Sequence, residues 1–292
     1  MYKKLIDSVN PLRMFGLRKK KKISYIDSNS DLNFLSTHLK QEKIMGLDTE
    51  FDWRNTYFPK LSLLQIATKS DIFLIDCLSC NSFKKLKNVL EDPKILKIFH
   101  SIRSDSTVLS KCLNIFVKNA FDIQLAQKFL NQGQIDNYGS IVFYHTKKTL
   151  DKSQTNSNWL KRPLKDAQLK YASEDVDYLI EIYTKQKKIL SQEDIKNIYE
   201  DSDKEINLGN EKLSNLRIRK NKKKFTKKGQ EIFIWREVIA ENENLPPSFI
   251  CKDKDVHKLS KLKISDENST KKEILRILGD SYYVENFFKR FL

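Results

Sequence analysis

The chain has 292 residues, and its composition of 39% hydrophobic and 11% aromatic residues is that of a globular protein with room for one large domain and a smaller one. Its 54 Lys and Arg against 38 Asp and Glu give a formal net charge of +16, which favours a polyanionic partner, either nucleic acid or an anionic membrane surface. No apolar run approaches the roughly 20 residues that a membrane span requires, so we expect a cytoplasmic protein without a membrane partner.

Residues 1–24 are predicted to form a basic N-terminal arm, which includes the run from Arg18 to Lys22. They contain no clear apolar stretch followed by a small-residue cleavage site, which argues against a secretory signal and leaves a transit peptide as the alternative. Four cysteines in a chain this long do not resemble a disulfide framework, which suits a reducing compartment. Cys77 and Cys80 have metal or redox spacing, but no neighbouring Cys or His completes four-coordination, so we interpret the pair as coincidence.

The first part of the chain has the pattern of one helix followed by an antiparallel meander. Leucines at helical spacing behind capping Ser and Asp residues predict a helix over residues 28–40. Three strand-like runs follow over residues 44–51, 61–67 and 72–76. Their connections are short enough for hairpins, so we predict antiparallel pairing.

From residue 83 onward, helical and strand patterns alternate, as is typical of parallel β-α units. The alternating segments are a helix over 83–90, a strand over 95–99, a helix over 104–113, a strand over 117–122 and a helix over 124–130. Three antiparallel strands followed by parallel β-α units predict a ribonuclease-H-like mixed sheet of the α/β class. A polar segment over 132–162 that could line a site and a long helix over 164–190 complete this domain, which we assign to residues 25–190.

Residues 191–224 are interpreted as a linker or boundary region because the charge changes there from acidic to basic, and residues 225–292 as a small all-helical domain. One predicted helix of this tail has an apolar face made of Ile232, Trp235 and Val238. A later helix is predicted to begin with a capping box at Thr270 and Glu273, and Gly279 is placed to close it.

The first strand-like run ends in two carboxylates, Asp48 and Glu50, which one residue separates. Alternate side chains of a strand share a face, so these two would point together. Two carboxylates this close raise each other's pKa unless a cation lies between them. Oxygen ligands suit Mg²⁺ or Mn²⁺, which commonly serve phosphoryl chemistry. An isolated Asp-x-Glu is more often an exposed strand end whose acidic residues face water, so a metal site needs further ligands.

Three further residues are spaced to join this pair. Asp105 follows the fourth predicted strand, where the chain turns into a helix and can present a side chain to a site. Tyr171 and Asp175 are four residues apart on the long predicted helix and therefore share a face. Each of them alone could be a cap or a solvated group. Together they give four carboxylates and a phenol in a chain that is otherwise dominated by positive charge.

These residues and the motifs around them resemble the DEDD 3′→5′ exonucleases, in the branch with tyrosine in its last motif, and most closely the ribonuclease D family. The matching stretches are Leu47-Asp48-Thr49-Glu50-Phe51, Thr56-Tyr57-Phe58-Pro59, Leu63-Leu64-Gln65-Ile66-Ala67, residues 100–105, Phe121-Asp122-Ile123-Gln124, Leu150-Asp151-Lys152-Ser153, residues 158–164 and residues 168–176. In the tail, stretches around Trp235, Asn244-Leu245-Pro246 and residues 275–279 resemble a single HRDC domain, a helical module associated with nucleic-acid binding.

The chain departs from the family in three respects. It has room for one HRDC module where bacterial members usually carry two. Ile123 replaces the usual Thr, and the glycine that normally precedes Leu150 is absent. The metal and tyrosine set is intact, and the first two departures concern the range and affinity for RNA more than the chemistry.

The resemblance implies a two-metal mechanism. The four residues that would hold two Mg²⁺ or Mn²⁺ ions per site are Asp48, Glu50, Asp105 and Asp175. One ion would activate a water molecule and the other would stabilise the departing 3′ oxygen. Tyr171 would orient that water, since a phenol with an unperturbed pKa of about 10 is not a free base at neutral pH. No organic cofactor is expected.

Six residues around this centre are candidate substrate contacts. Thr49 and Phe51 flank the ligands, and Phe51 could stack on the terminal base or pack in the core. His100 could bond a substrate group or be a buried structural residue. The remaining candidates are Lys152 and Arg162, which could reach phosphates, and Trp159, which is a base platform or a packing anchor.

The resulting hypothesis is a monomeric, metal-dependent 3′→5′ exoribonuclease that trims RNA 3′ ends, with tRNA precursors as the expected substrate and 5′-mononucleotides as products. A DNA-directed exonuclease of the same fold is the alternative. A catalytically silent RNA-binding protein is a third reading, and the intact carboxylate set argues against it, since a binding module has no use for clustered acids that repel phosphate.

Overall fold

The computed structural model describes residues 20–263 and 266–292. The chain divides into two compact units. The first contains the described residues up to Asp52 together with Lys60–Asn210, and the second contains Trp53–Pro59 and Glu211–Leu292. The division therefore falls inside the boundary region that the sequence suggests at 191–224, and a short connection within the first domain belongs to the second unit.

A mixed sheet of six strands forms the centre of the first unit, in the order β1-β4-β3-β2-β5-β6. In chain order the strands are β1 (Lys22–Ile26), β2 (Ile44–Asp52), β3 (Lys60–Ala67), β4 (Asp71–Asp76), β5 (Leu96–Phe99) and β6 (Ala120–Asp122). Strand β3 pairs antiparallel with β2 and β4, whereas β5 pairs parallel with β2 and β6. The predicted sheet of three antiparallel strands followed by parallel β-α units is confirmed.

Strand β1 is absent from the sequence prediction, which ends the basic arm at residue 24. It pairs parallel with β4 at the edge of the sheet, with Lys22 opposite Asp71. Its alternation of apolar and polar residues is only five residues long and directly follows a run of lysines, so the charge obscures the strand pattern. The rest of the predicted arm, residues 1–19, lies outside the described residues.

Helices cover both faces of this sheet. They are α1 (Asn29–Leu39), α2 (Lys84–Leu90), α3 (Arg103–Leu113), α4 (Ile123–Leu130), α5 (Tyr138–Thr146), α6 (Asp166–Asp177), α7 (Leu179–Ile189) and α8 (Gln192–Asn210). Neighbouring strand residues alternate between the two cores, so that Leu64 packs with the apolar residues of α1 and α2 while Leu63 packs with those of α6 and α7. The sheet is therefore the middle layer of three.

The long helix predicted over 164–190 is divided at Tyr178 into α6 and α7. The break brings the first turn of α7 directly against the sheet. A Cβ atom placed on Gly46 of β2 would lie 2.9 Å from the Cβ of Leu179. This close approach requires a glycine and holds the end of α6 beside the strand that carries Asp48 and Glu50.

Helix α8 lies in the stretch interpreted as a linker, yet it is part of the first unit. Its Gly209 is so close to α3 that an added Cβ would lie 2.6 Å from the carbonyl oxygen of Arg103. Its Ser202 hydroxyl accepts a hydrogen bond of 3.0 Å from the backbone N–H of Asp122 at the end of β6. Acidic, exposed residues along α8 hide this packing in the sequence.

The second unit is helical. Its helices are α9 (Leu213–Asn221), α10 (Lys227–Glu243), α11 (Pro247–Ile250), α12 (Asp253–Ser260), α13 (Glu267–Leu278) and α14 (Ser281–Phe291), with a 3₁₀ turn at Lys222–Lys224. Gly279 ends α13 with a φ of +75°, as predicted. The predicted capping box is wrong, because Asp266 caps α13 and Thr270 is buried within it. Val238 is 50% exposed and does not share the buried face of Ile232.

The connection Trp53–Pro59 between β2 and β3 is built into this helical unit. Tyr57 is fully buried, its hydroxyl lies 3.4 Å from the carboxylate of Glu237, and the Arg217 guanidinium lies 4.6 Å from its ring centroid. Glu237 is itself buried between Arg217 and Arg236, at 3.1 and 3.3 Å. Within the described residues, no helix is long and apolar enough to cross a membrane.

Candidate active site

Strand β2 places the predicted acidic pair on one face of the sheet. Asp48 and Glu50 are half-buried. Leu47, which precedes them, and Thr49, which lies between them, are buried on the opposite face. The ladder with β3 is regular up to Glu50 and shifts register directly after it. The strand alternation that the sequence indicated is therefore present in the structure.

Helix α6 brings Asp175 to this pair. One carboxylate oxygen each from Asp48, Glu50 and Asp175 lie within 4.8 Å of one another, which is a spacing that a single divalent cation can bridge. Tyr171, one helical turn before Asp175, is close enough for the charge of Asp175 to raise the pKa of its phenol, and its hydroxyl lies 3.2 Å from that of Thr155. The structure thus assembles three of the four predicted ligands and the predicted tyrosine.

Asp105 lies behind this cluster, in the first turn of α3, and is only 4% exposed. Its Oδ1 accepts a hydrogen bond of 2.6 Å from the hydroxyl of Thr49. It is not one of the three carboxylates within 4.8 Å of one another, but its charge is close enough to raise the pKa of both Asp48 and Glu50. The fourth predicted ligand therefore borders the cluster.

The carboxylates of the site hold their protons unusually strongly. Burial, followed by the charges of Asp175 and Asp105, raises the pKa of Glu50 to about 9. Burial raises the pKa of Asp105 to about 7, despite the hydrogen bond from Thr49. The pKa of Asp48 is also raised well above its usual value, first by burial and then by its acidic neighbours. The ionised form of such a cluster is unfavourable without a counter-charge, and a divalent cation would supply that charge.

Gln65 is a residue of the site that the sequence analysis quoted but did not assign. It lies directly opposite Asp48 on β3, so the two side chains share a face. It is fully buried, and its amide oxygen and nitrogen have no hydrogen-bond partner among the described residues. Buried amides normally pair, so Gln65 is an unsatisfied polar group on the face of the sheet that carries Asp48.

Asp122 is a second residue that the sequence analysis did not assign. Its carboxylate accepts hydrogen bonds from the backbone N–H groups of Ser101, Ile102 and Gln124, at 3.0, 2.9 and 2.8 Å. It thereby fixes the turn that leads into α3, which carries Asp105. An Asp between a strand and a helix is a recognisable capping signal, and this signal could have identified it.

Three of the predicted substrate contacts have structural roles instead. The hydroxyl of Thr49 is used by Asp105. Trp159 is only 3% exposed and belongs to the core, so it cannot serve as a base platform. Arg162 pairs with Asp76 through two hydrogen bonds of 2.7 Å, so its guanidinium has a structural partner in place of the predicted phosphate.

The other three candidates are at least partly exposed. Phe51 is half-buried at the end of β2. His100 lies 3.4 Å from the carbonyl oxygen of Asp136, and burial lowers the pKa of its ring. The ammonium of Lys152 donates a hydrogen bond of 2.6 Å to Asn137, and its charge partly offsets the raised pKa of Asp175. Lys152 is thus a cation at the border of the acidic cluster.

Comparison with known proteins agrees with this geometry. Residues 23–191 match the sequence model of the 3′–5′ exonuclease family. The chain belongs to the 3′–5′ exonuclease family. One relative, ribonuclease D of Desulfotalea psychrophila, is 30% identical over 243 residues, which are 80% of this chain and 65% of the relative. The chain thus spans slightly less than two thirds of the length of that relative.

Solved structures have the same exonuclease fold. Escherichia coli RNase D, described as an exoribonuclease involved in structured RNA processing, superposes with a TM-score of 0.77 at 23% identity, covering 91% of this chain and 75% of that chain. Trypanosoma brucei RNase D in complex with RNA U12 gives a TM-score of 0.59 at 20% identity, covering 65% of this chain and 70% of that chain. The resemblance that the motifs indicated is confirmed at the level of fold and family.

Proposed function

We propose that the chain is a metal-dependent 3′→5′ exoribonuclease that removes 5′-mononucleotides from RNA 3′ ends. The observation that carries this proposal is the convergence of Asp48, Glu50 and Asp175 within 4.8 Å, with Asp105 behind them and a tyrosine at the edge. Oxygen ligands of this number and charge fit hard divalent cations. The residues therefore suit the metal chemistry of the exonuclease family.

In this proposal the four carboxylates hold two cations, Mg²⁺ or Mn²⁺. When bound, the ions supply charge stabilisation to the phosphodiester in its transition state and lower the pKa of water. Thr49 fixes the carboxylate of Asp105 through its hydrogen bond of 2.6 Å, so that the ligand is preorganised. Asp122 fixes the turn that carries Asp105, through the backbone bonds described above.

Tyr171 orients the attacking water through its hydroxyl. Burial, followed by the charge of Asp175, raises the pKa of this phenol, so it stays protonated at neutral pH and does not act as the base. Thr155 holds the same hydroxyl at 3.2 Å. The phenol thus has a fixed position next to the carboxylates, which is what an orienting group needs.

RNA is the proposed polymer because relatives are named ribonuclease D and one related structure contains RNA U12. The net charge of +16 supports a polyanionic substrate. In the helical unit, which we propose to be HRDC-like, the basic residues Lys258, Lys261, Lys263, Lys272 and Arg276 line one cavity of 970 Å³. This basic groove suits RNA backbone, and tRNA precursors are the substrate we propose.

The test compares matched RNA and DNA oligomers with free and blocked 3′ ends, in Mg²⁺, in Mn²⁺ and after chelation. We expect 5′-mononucleotides from the free RNA 3′ end only, with activity lost on chelation. Asp48→Asn is the control, since it removes one charge of the cluster and keeps the shape of the side chain. Hydrolysis of the blocked RNA, or full activity of Asp48→Asn, would contradict the proposal, and faster cleavage of DNA would reassign the substrate. A monomeric state, a cytoplasmic location and the lack of an organic cofactor stay predictions.

A further inference from the structure

A cavity of 590 Å³ lies in the first unit, and Lys152, which lines it, is close enough to Asp175 for its charge to lower the pKa of that carboxyl. Helices α4 and α5 form its walls, and the segment from Lys147 to Lys152 closes one side. The proposed reaction requires space for only one terminal nucleotide at the carboxylates. The cavity is therefore an additional surface whose occupant needs an explanation.

One end of the cavity adjoins the candidate active site. Tyr138, the first residue of α5, donates a hydrogen bond of 3.3 Å to the carbonyl oxygen of Glu174, which directly precedes Asp175 in α6. Lys152 lines the cavity and donates to Asn137, the N-cap of α5, at 2.6 Å. A chain whose 3′ end lies at the carboxylates can therefore continue along α5.

The other end of the cavity carries two neighbouring aromatic rings. Phe143 and Tyr144 are 53% and 58% exposed, although aromatic residues of this size are usually mostly buried. The ammonium of Lys147 lies 5.7 Å from the centroid of Phe143 and 6.0 Å from that of Tyr144. Exposed aromatic rings next to a cation are the usual means by which proteins hold single-stranded nucleic acid, through base stacking and phosphate contact.

The length of α5 sets the distance between the two ends. Tyr144 lies seven positions after Asn137, the N-cap of α5 that lines the cavity beside Lys152, which is about 10 Å along a helix axis. A stacked strand rises about 3.4 Å per nucleotide, so this length corresponds to roughly three nucleotides. The rings are therefore placed for a base a few nucleotides upstream of the 3′ end.

We propose that this groove binds the single-stranded RNA segment upstream of the terminal nucleotide, with one base stacked on Phe143 or Tyr144 and a backbone phosphate at Lys147. The proposal rests on the proposed function for the identity of the polymer. Base stacking and phosphate contact do not require the metal ions, so binding in the groove persists in a chelator. A minimal substrate that is too short to reach the rings gains nothing from them.

The test uses the double variant Phe143→Ala/Tyr144→Ala in the full chain, with Phe34→Ala as the matched control. Phe34 is 80% exposed on α1, which packs on the other face of the sheet. We measure kcat and KM for RNA oligomers of two, three, four and six nucleotides, and the affinity for a labelled RNA hexamer in EDTA. Phe143→Ala/Tyr144→Phe keeps one ring for stacking and serves as the conservative variant.

For the wild type and Phe34→Ala, we expect KM to fall as the RNA lengthens from two to six nucleotides. The double variant should keep the wild-type kcat and KM for the dinucleotide, but its KM should not decrease with RNA length. Its KM for the hexamer should therefore be roughly tenfold higher than that of the wild type, which corresponds to the loss of one stacked base. Its affinity for the hexamer in EDTA should fall by a similar factor, and the conservative variant should recover most of it.

If KM of the double variant depends on RNA length as it does in the wild type, and its affinity for the hexamer is also unchanged, the inference is wrong, even if hydrolysis itself is as proposed. If the wild type hydrolyses no oligomer, the proposed function fails, and the hexamer affinity in EDTA still decides the groove. An unchanged affinity combined with a shift from dimer to monomer in the double variant would assign the rings to a second copy of the chain.

Discussion

The pair of Arg162 and Asp76 allows a direct test of whether Arg162 stabilises the fold or binds phosphate. The sequence motif around Arg162 suggests a phosphate contact, whereas the structure engages its Nε and Nη2 with both carboxylate oxygens of Asp76 at 2.7 Å. The Asp76 side chain is 3% exposed and also accepts from the Tyr25 hydroxyl at 2.6 Å. The pair therefore joins β4 to the segment before α6.

Replacing Arg162 by methionine leaves Asp76 buried without its cation. Removing one partner of a buried ion pair costs roughly 3–5 kcal/mol, so the free energy of unfolding at pH 7 should fall by about that amount. The pKa values give an independent figure. Burial raises the pKa of Asp76, but the hydrogen bonds from Arg162 and Tyr25 overcome it and lower the value from 3.8 to about 2. At about 1.36 kcal/mol per pH unit, this net shift corresponds to roughly 2.5 kcal/mol, which is smaller than the cost of removing Arg162 because the shift already includes the opposing effect of burial.

The sign of the pH dependence follows from that lowered pKa. A carboxyl group with a folded pKa below its unfolded value stabilises the fold above the unfolded pKa, and this contribution is lost as the pH falls through about 2. In Arg162→Met, burial instead favours the protonated carboxyl. The stability difference between the two proteins should therefore be largest near pH 7 and should narrow toward pH 4.

Urea unfolding at pH 7 and pH 4, together with kcat and KM on a short RNA below the unfolding transition, measures these effects. The double variant Arg162→Met/Asp76→Leu removes both charges and should recover most of the lost stability. KM should stay at the wild-type value in every folded variant. A stability equal to wild type with a tenfold higher KM would refute the structural role and restore Arg162 as a phosphate contact.

Three other predictions follow from the site and the two units. Tyr171→Phe should lower kcat much more than it changes KM in steady-state kinetics, because the hydroxyl acts on the attacking water. Burial raises the folded pKa of Glu50 to about 9, so the metal-free protein loses stability as the pH rises toward 9, and Mg²⁺ should raise Tm more at pH 8 than at pH 6. A chain that ends at Asn210 lacks Glu237 and the other partners of buried Tyr57. The Tm of this truncated protein should be lower than that of the full chain, and a hydrophobic dye should bind to the exposed apolar surface.

The local part of the site could be predicted from sequence because it depends on short-range periodicity. The spacing of Asp48 and Glu50 matches the alternation of a strand, and the spacing of Tyr171 and Asp175 matches a helical turn. Both arrangements are present in the structure. The antiparallel order of the first three predicted strands likewise follows from their short connections.

What the sequence did not reveal depends on partners far away in the chain. Arg162 meets a carboxylate 86 residues earlier, and Trp159 is buried by core residues from several elements. Tyr57 lies in a connection that reads as a simple hairpin loop, but its partner Glu237 is 180 residues away. Side-chain type and local spacing are the same for a substrate contact and a structural contact, so only the fold distinguishes them.

The electrostatics of the site and of the groove on α5 lead to different dependence on metal ions. The carboxyl groups of Asp48, Glu50 and Asp175 offer a phosphate no positive charge, so the cluster has no favourable contact for it until divalent cations displace the protons and bind. The groove carries Lys147 and exposed aromatic rings, so it attracts RNA with or without cations. Affinity for the upstream segment is thus independent of the metal, whereas placement of the 3′ end at the carboxylates requires it. In the proposed function, the metal then controls cleavage of RNA that the proposed groove holds without it.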